Sequence, residues 1–281
     1  MPEGGVGAIV DALTRAAAKA GVEVRLNAPV AKILVNDKDS VDGVELADGE
    51  KIVAPLVFSN AAVRRTMIDL LGVDHLDAEM VGRIRNMATQ GMAARIDFDL
   101  SDAPQYDSQR AMQIGERVVF APDMVYIERA FNAAKYGDPA PRPAIEGVLS
   151  KTATGYRFAA TAQYAPHDPN GGWTGDAKQS FAAAVRTALD DAAPGFSGLV
   201  TGATVTTPND IETDYGIAGG HWHHGELRID QLLMVRPFHG ASQYRLPVSG
   251  LYLCGASAHP GGDVSGAPGW NAAAQALKDG R

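Results

Sequence analysis

The sequence predicts an α/β fold in two interleaved parts, and three observations predict it. Near the C-terminal end, the apolar run 251–254 enters a glycine-rich loop and then an alanine-rich helical pattern, "LYLCGASAHPGGDVSGAPGWNAAAQAL". Near the other end, an amphipathic helical pattern is followed by short strand-like runs. Between them, over 73–245, helical and strand-like stretches of a different character alternate. Residues 1–72 and 246–281 therefore read as one part. An α+β part of mixed sheet and helices, 73–245, is inserted into it.

The elements follow in order. In "GVGAIVDALTRAAAKA" (5–20), Val6, Ile9, Val10, Leu13 and Ala17 share one helical face, and Gly21 is a natural stop. "VEVRL" (22–26), "PVAKILV" (29–35), "VDGVELA" (41–47) and "KIVA" (51–54) read as strands. Asp48-Gly49 signals a hairpin between the last two. "LVFSN" (56–60) reads as a buried strand. In the inserted part, helices are expected at 77–87, at 122–136 with Pro122 in first position, and at 175–196 with a stop at Pro194-Gly195. Thr207 and Pro208 open another helix as N-cap and first residue. Strands are expected at 92–100, 144–150, 156–165 and 199–207.

Composition narrows the function classes. The chain has 281 residues, 46% hydrophobic and 21% charged, which suits a globular protein with a sizeable core. A net charge of −8 argues against nucleic acid or anionic membrane as main partner. The lone Cys254 excludes an internal disulfide. No run of about 18 apolar residues predicts a spanning helix. The N-terminal stretch has no basic region before its apolar residues, so a cytoplasmic location is expected.

The motifs divide into absent and present ones. The nearest match to G-x-G-x-x-G is Gly5-Val6-Gly7-Ala8-Ile9-Val10, which lacks the third glycine and a preceding strand. Neither a P-loop nor G-x-S-x-G occurs. "GGHWHHGE" (219–226) is the densest polar cluster. On a strand, His221 and His223 would share a face, which suits imidazole ligation, but Gly225 and Glu226 break the metallohydrolase pattern H-x-H-x-D-H. No metal ligand is assigned, and a structural role in a cleft wall is the alternative reading for these histidines. The 255–266 loop is rich in glycine, and strand, loop and helix N-terminus together make an anion cradle of the kind that holds a nucleotide phosphate.

"GLYLCGASAHPGGDVSGAPGWNAA" resembles the C-terminal signature of the phytoene dehydrogenase-related flavoproteins, within the flavin amine oxidase-like group. "GGHWHHGELRIDQLLMVRP", "PEGGVGAIVDALTRAAAKAGVEVRLNAPVAKILV" and "VFSNA" resemble other segments of that family, in the same order. The resemblance implies an FAD/NAD(P)-binding-type domain interleaved with a substrate domain. It implies that this chain corresponds to the C-terminal portion only, without the N-terminal Rossmann unit that carries the glycine fingerprint. By resemblance, the strand at Val30 passes the adenine. Gly255, Ala256, Gly262, Val264 and Gly266 face the flavin and ribityl chain, and the helix from Pro268 closes near the pyrophosphate. Asp263 stands where a third glycine is common.

Three functions follow as expectations. The first is an FAD-dependent oxidoreductase that binds FAD weakly or not at all in this chain alone. The second is a cofactor-free protein that hydrolyses an ester or lactone, with or without a metal, or binds a small apolar ligand in the same cleft. The third is a structural or interaction module. If the chain has chemistry of its own, His221, His223, His224 and His259 are the candidate bases, with Glu226 and Asp263 nearby. A homo-oligomer, or assembly with a missing N-terminal half, is expected to cover the open sheet edges.

Overall fold

The computed structural model describes residues 5–239 and 241–281. Its first element is helix α1, Gly7–Lys19. Then come strands β1 (Val30–Val35), β2 (Val41–Leu46), β3 (Lys51–Val53) and β4 (Val57–Ser59). β1, β2 and β3 form an antiparallel meander in that order, and the Asp48-Gly49 turn sits between β2 and β3 as its sequence requires. A wide helical turn at Arg65–Leu71, which the sequence reading missed, places Thr66, Met67, Leu70 and Leu71 in the core. Helix α2 (Ala78–Arg85) follows, capped by the Asp77 side chain.

The middle of the chain is built on a five-stranded sheet. Its strands are β5 (Ala93–Leu100), β6 (Arg117–Phe120), β7 (Ile145–Lys151), β8 (Tyr156–Gln163) and β9 (Val200–Thr206). Their order is β6-β7-β8-β5-β9, and every pairing is antiparallel rather than of mixed direction. Strict alternation fixes the buried face: Ile96, Phe98 and Leu100 of β5 and Phe158, Ala160 and Ala162 of β8 point to one side. Burial of each phenylalanine is worth roughly 1.5–3 kcal/mol. The other face carries ion pairs such as Asp99–Arg157, directly opposite across β5 and β8.

Helix α3 (Met124–Lys135) joins β6 to β7. It starts two residues later than expected, because Asp123 stands before it as cap and Pro122 lies outside the helix. Helix α4 (Gly175–Ala192) lays Phe181, Val185 and Leu189 on the buried face of the sheet. A single turn, α5 (Phe196–Leu199), leads into β9. Helix α6 (Pro208–Tyr215) opens with the expected Thr207 cap, completed to a capping box by Asp210.

Strand β10 (Leu251–Leu253) and helix α7 (Ala267–Lys278) complete the chain. β10 runs parallel to β4, with Tyr252 opposite Phe58. The pair is a short, open parallel sheet of a truncated Rossmann kind. A second core beneath it gathers Ile33, Val63, Met67, Ile84, Phe238, Val248, Leu251 and Leu253. Residues 22–26, expected as a strand, take part in no sheet among the described residues, and Val22, Val24 and Leu26 are exposed. Helix α1 buries no residue, and its apolar face (Val6, Val10, Leu13) lies open.

Candidate functional site

The end of the five-stranded sheet supplies the floor of the site. Ala93 of β5 pairs with Gln163 of β8, and the chain just before β5 runs alongside the 219–226 turn. Three links hold that turn down. Gly91 N–H donates to Gly219 O at 2.6 Å, Glu226 N–H to Ala88 O at 2.9 Å, and Gln90 bridges Gly220. The side chain of Gln231 clamps the same place, accepting from Ala88 N at 2.8 Å and donating to Ala88 O and Glu226 O. Gly220 has φ +64, and a Cβ there would lie 1.8 Å from Pro208 O, so only glycine permits this crossing.

The polar cluster therefore forms a turn, not the strand on which His221 and His223 would alternate. The turn still brings the two rings together, with centroids 5.7 Å apart. A cavity of about 360 Å³ opens between turn and sheet end. His221, His223 and Glu226 line it, and Trp222 and Arg228 stand beside them. Asp230 is turned to Arg228, at 3.2 Å.

Behind the cluster sits Arg236, 2% exposed and without a carboxylate partner among the described residues. Its guanidinium is satisfied by carbonyls alone. Nε and Nη2 donate to Ala256 O at 2.9 and 2.8 Å, Nη1 donates to Gln231 O at 3.0 Å, and Nη2 also reaches His223 O. One side chain thus ties the histidine turn to the glycine-rich loop. The fork geometry of arginine suits this multidentate role. The sequence reading quoted Arg236 within a longer segment but did not single it out. Its only signal there is an arginine inside an apolar run.

The electrostatics follow from this placement. Burial pushes His221 down to about 4, helped by the neighbouring His223 ring, Arg236 and His224. His224 is held at about 4 for the same first reason, with Arg236 and His223 adding to it. His223 is lowered by burial but pulled back by Asp263, whose carboxylate lies 3.8 Å away. These imidazoles are neutral at pH 7. His224 Nδ1 is buried and has no hydrogen-bond partner among the described residues.

The glycine-rich loop meets this cluster at one point. A Cβ on Gly262 would come 3.1 Å from His223 Nδ1, so loop backbone rests against that ring. Asp263, at φ +64 and largely exposed, reaches towards His223 instead of towards the helix behind it. His259 is not in the cavity lining; its Nδ1 bonds Leu233 O at 2.9 Å. Gly255 packs against Asn60 at the crossing from β4, and the carbonyl of Ala256 belongs to Arg236. Val264 is exposed, and Gly266 (φ +67) is the N-cap of α7. Val30 begins β1, opposite Leu46, apart from this loop.

The α7 N-terminus has no side-chain cap and no acidic residue in its first turn. Ala267 N–H donates to Ser265 Oγ at 3.3 Å, Pro268 has no N–H and Trp270 N–H donates to Gly266 O, so among the described residues Gly269 N–H, with the helix dipole behind it, is the group left in that turn for a phosphate. The residues present thus fit part of a dinucleotide site. No complete glycine fingerprint stands beside them in the sequence. Among the described residues, no group of three His, Cys, Asp or Glu side chains could hold a metal ion. No helix among them is long and apolar enough to cross a membrane.

Comparison with known proteins finds similar sequences over nearly the whole chain. The chain is 34% identical over 99% of its length to a rat (Rattus norvegicus) protein, pyridine nucleotide-disulfide oxidoreductase domain-containing protein 2, of which it covers 51%. It is 28% identical over 93% of its length to the neurosporene-forming phytoene desaturase of Rhodobacter capsulatus, covering 50% of that protein. No protein-family model matches the chain. A solved structure of a Pyrococcus furiosus protein aligns over 73% of the chain with a TM-score of 0.46 and 16% identity, a likeness too slight to carry an argument. The chain is homologous to oxidoreductases of the phytoene desaturase group and spans about half the length of the curated relatives it matches.

Proposed function

We propose that the chain is the substrate-cleft portion of an FAD-dependent oxidoreductase. In this reading a dinucleotide site is completed by the half of its relatives' length that it does not match. The observation that carries this is the pairing of an open parallel edge with a glycine-rich crossing into a helix N-terminus. Among the described residues β4 has β10 as its one neighbour strand, and the chain then crosses at Asn60 and Gly255 towards the N-terminus of α7, where Gly269 N–H is open. Parallel sheets are stable when further strands and crossover helices cover them, and two strands alone are not enough. The apolar faces of α1 and of 22–26 are the further surface such a segment would cover.

In that assembly FAD supplies the two-electron chemistry. The residues of this chain do the rest. Gly269 N–H and the α7 dipole receive a phosphate, with Gly266 leaving the approach open. Arg236 holds the 255–262 loop against the histidine turn, so that the cavity keeps one shape. His221 and His223 present neutral imidazoles to the cavity, and Asp263 stands ready to stabilise His223 when it takes a proton.

The test is flavin retention. Purified alone, the chain is expected to show no 450 nm absorbance and no saturable quenching of FAD fluorescence at micromolar concentration. Co-expressed with the unmatched half of the rat relative, it should retain flavin. Tight, stoichiometric FAD binding by the chain alone would overturn the shared-site reading. Failure of the pair to retain flavin would overturn the oxidoreductase reading.

A further inference from the structure

We infer that the cavity beneath the 219–226 turn binds a compact, neutral, flat ligand carrying a carbonyl or amide group, with His221 Nε2 donating to its oxygen. This rests on the proposed function only in calling the cavity a substrate cleft, and binding itself needs no flavin. It departs from the small apolar ligand expected from the sequence.

The first ground is the hydrogen-bond state of His221. Its Nδ1 accepts from the backbone N–H of His223 at 3.3 Å. A neutral ring that accepts at Nδ1 carries its proton on Nε2, which makes that atom a donor. The ring is kept neutral by burial and by the cation of Arg236 behind it. The cavity therefore contains a fixed uncharged donor, suited to a carbonyl oxygen and unable to act as a cation.

The second ground is the lining. Gln90, Gln163, His221, His223, Glu226 and Arg228 are the polar members of eleven lining residues. The side chains of Gln90, Gln163 and Glu226 make no hydrogen bond to protein among the described residues. A hydrocarbon filling this space would strip water from the half-buried Gln163 and Glu226 and leave them unpaired, at about 1–3 kcal/mol for each group so desolvated. A carbonyl for His221 and N–H donors for Glu226 and the glutamine oxygens avoid that cost.

The third ground is charge and shape. Arg228 is already paired with Asp230, and Glu226 contributes an unpaired carboxylate, so an anionic ligand is repelled more than attracted. A volume of about 360 Å³ lies at the small end of the usual range for ligand sites. The indole of Trp222 offers a flat wall for a planar ring.

The experiment compares three matched probes on the full chain at pH 7.5. Benzamide, benzoate and ethylbenzene share a ring and differ in the group beside it. Histidine-ring ¹⁵N spectra follow each titration. Benzamide is expected to move the His221 Nε2 signal and to saturate, with the other two binding at least about tenfold more weakly. His221→Phe should weaken benzamide at least about tenfold, and Gln163→Leu should also weaken it. Circular dichroism checks that both variants are folded. Ethylbenzene binding as tightly as benzamide, no saturable benzamide binding, or unchanged binding to a folded His221→Phe variant would each overturn the inference. Flavin is absent from these titrations, so their failure leaves the flavin-retention result standing, and the reverse also holds.

Discussion

Arg236 shows how a single buried side chain can organise a site. It carries no carboxylate partner among the described residues, yet its donors meet three backbone carbonyls, on His223, Gln231 and Ala256. Arg236→Met would leave those carbonyls buried and unpaired, and is expected to destabilise the chain by about 3 kcal/mol or more in urea titration. Arg236→Lys should recover only part of this, because a lysine lacks the fork. Removing the cation should also raise the His221 and His224 pKa values, which histidine NMR would read. The same histidines predict how stability depends on pH. Their folded values, about 4, lie below the ordinary value of 6.5. Between those limits the unfolded chain binds more protons, so stability rises with pH there and is lost as pH falls from about 6.5 towards 4. Each group contributes a slope of at most about 1.4 kcal/mol per pH unit. Urea midpoints at pH 7.5, 6 and 5 should fall in that order, and His221→Asn should flatten the trend.

At the scale of elements, the crossing of β4 and β10 is the tightest joint. A Cβ on Gly255 would lie 2.3 Å from Asn60 Oδ1 and 2.5 Å from Asn60 O. Gly255→Ala is therefore expected to cost about 1–3 kcal/mol by overpacking, with the loss seen as a lower Tm. This glycine was read from the sequence as facing a ligand, and in the structure it faces the chain's own backbone. The helices and strands of the middle of the chain were legible because their patterns are local. The period-two alternation of β5 and β8 and the Thr207 capping box each state their geometry within a few residues. The 22–26 run was misread as a strand for the opposite reason. A strand is completed by a neighbour, and alternation alone cannot supply one. In the 219–226 segment the strand condition for His221 and His223 is not met, because Gly220 and the clamp of Gln231 make it a turn.

The whole molecule has a closed half and an open half. The five-stranded sheet and α4 enclose a core with four buried phenylalanines, while α1 buries nothing and Val10, Leu13 and Leu26 are 61%, 65% and 81% exposed. Surfaces of this kind draw a partner. Without the segment proposed to cover them, the chain is expected to associate with itself, and sedimentation at micromolar concentration should show species heavier than 29.5 kDa. Val10→Asp with Leu13→Asp should restore the single-chain mass and leave the unfolding free energy from urea titration within about 0.5 kcal/mol, as for surface changes. A clean 29.5 kDa species for the unaltered chain would count against this.

The sequence by itself determined most helices and strands of the middle of the chain, the antiparallel hairpin at Asp48-Gly49, the glycine-rich crossing into a C-terminal helix and the resemblance to an oxidoreductase group. These are properties of neighbours along the chain, or of motifs short enough to read. Only the tertiary structure decided that His221 and His223 share a cavity with Gln163, that His259 does not, and that Arg236 binds the turn to the loop. Those relations join residues tens of positions apart. They depend on burial, on the direction of single hydrogen bonds and on the approach of one backbone to another, none of which a local pattern encodes.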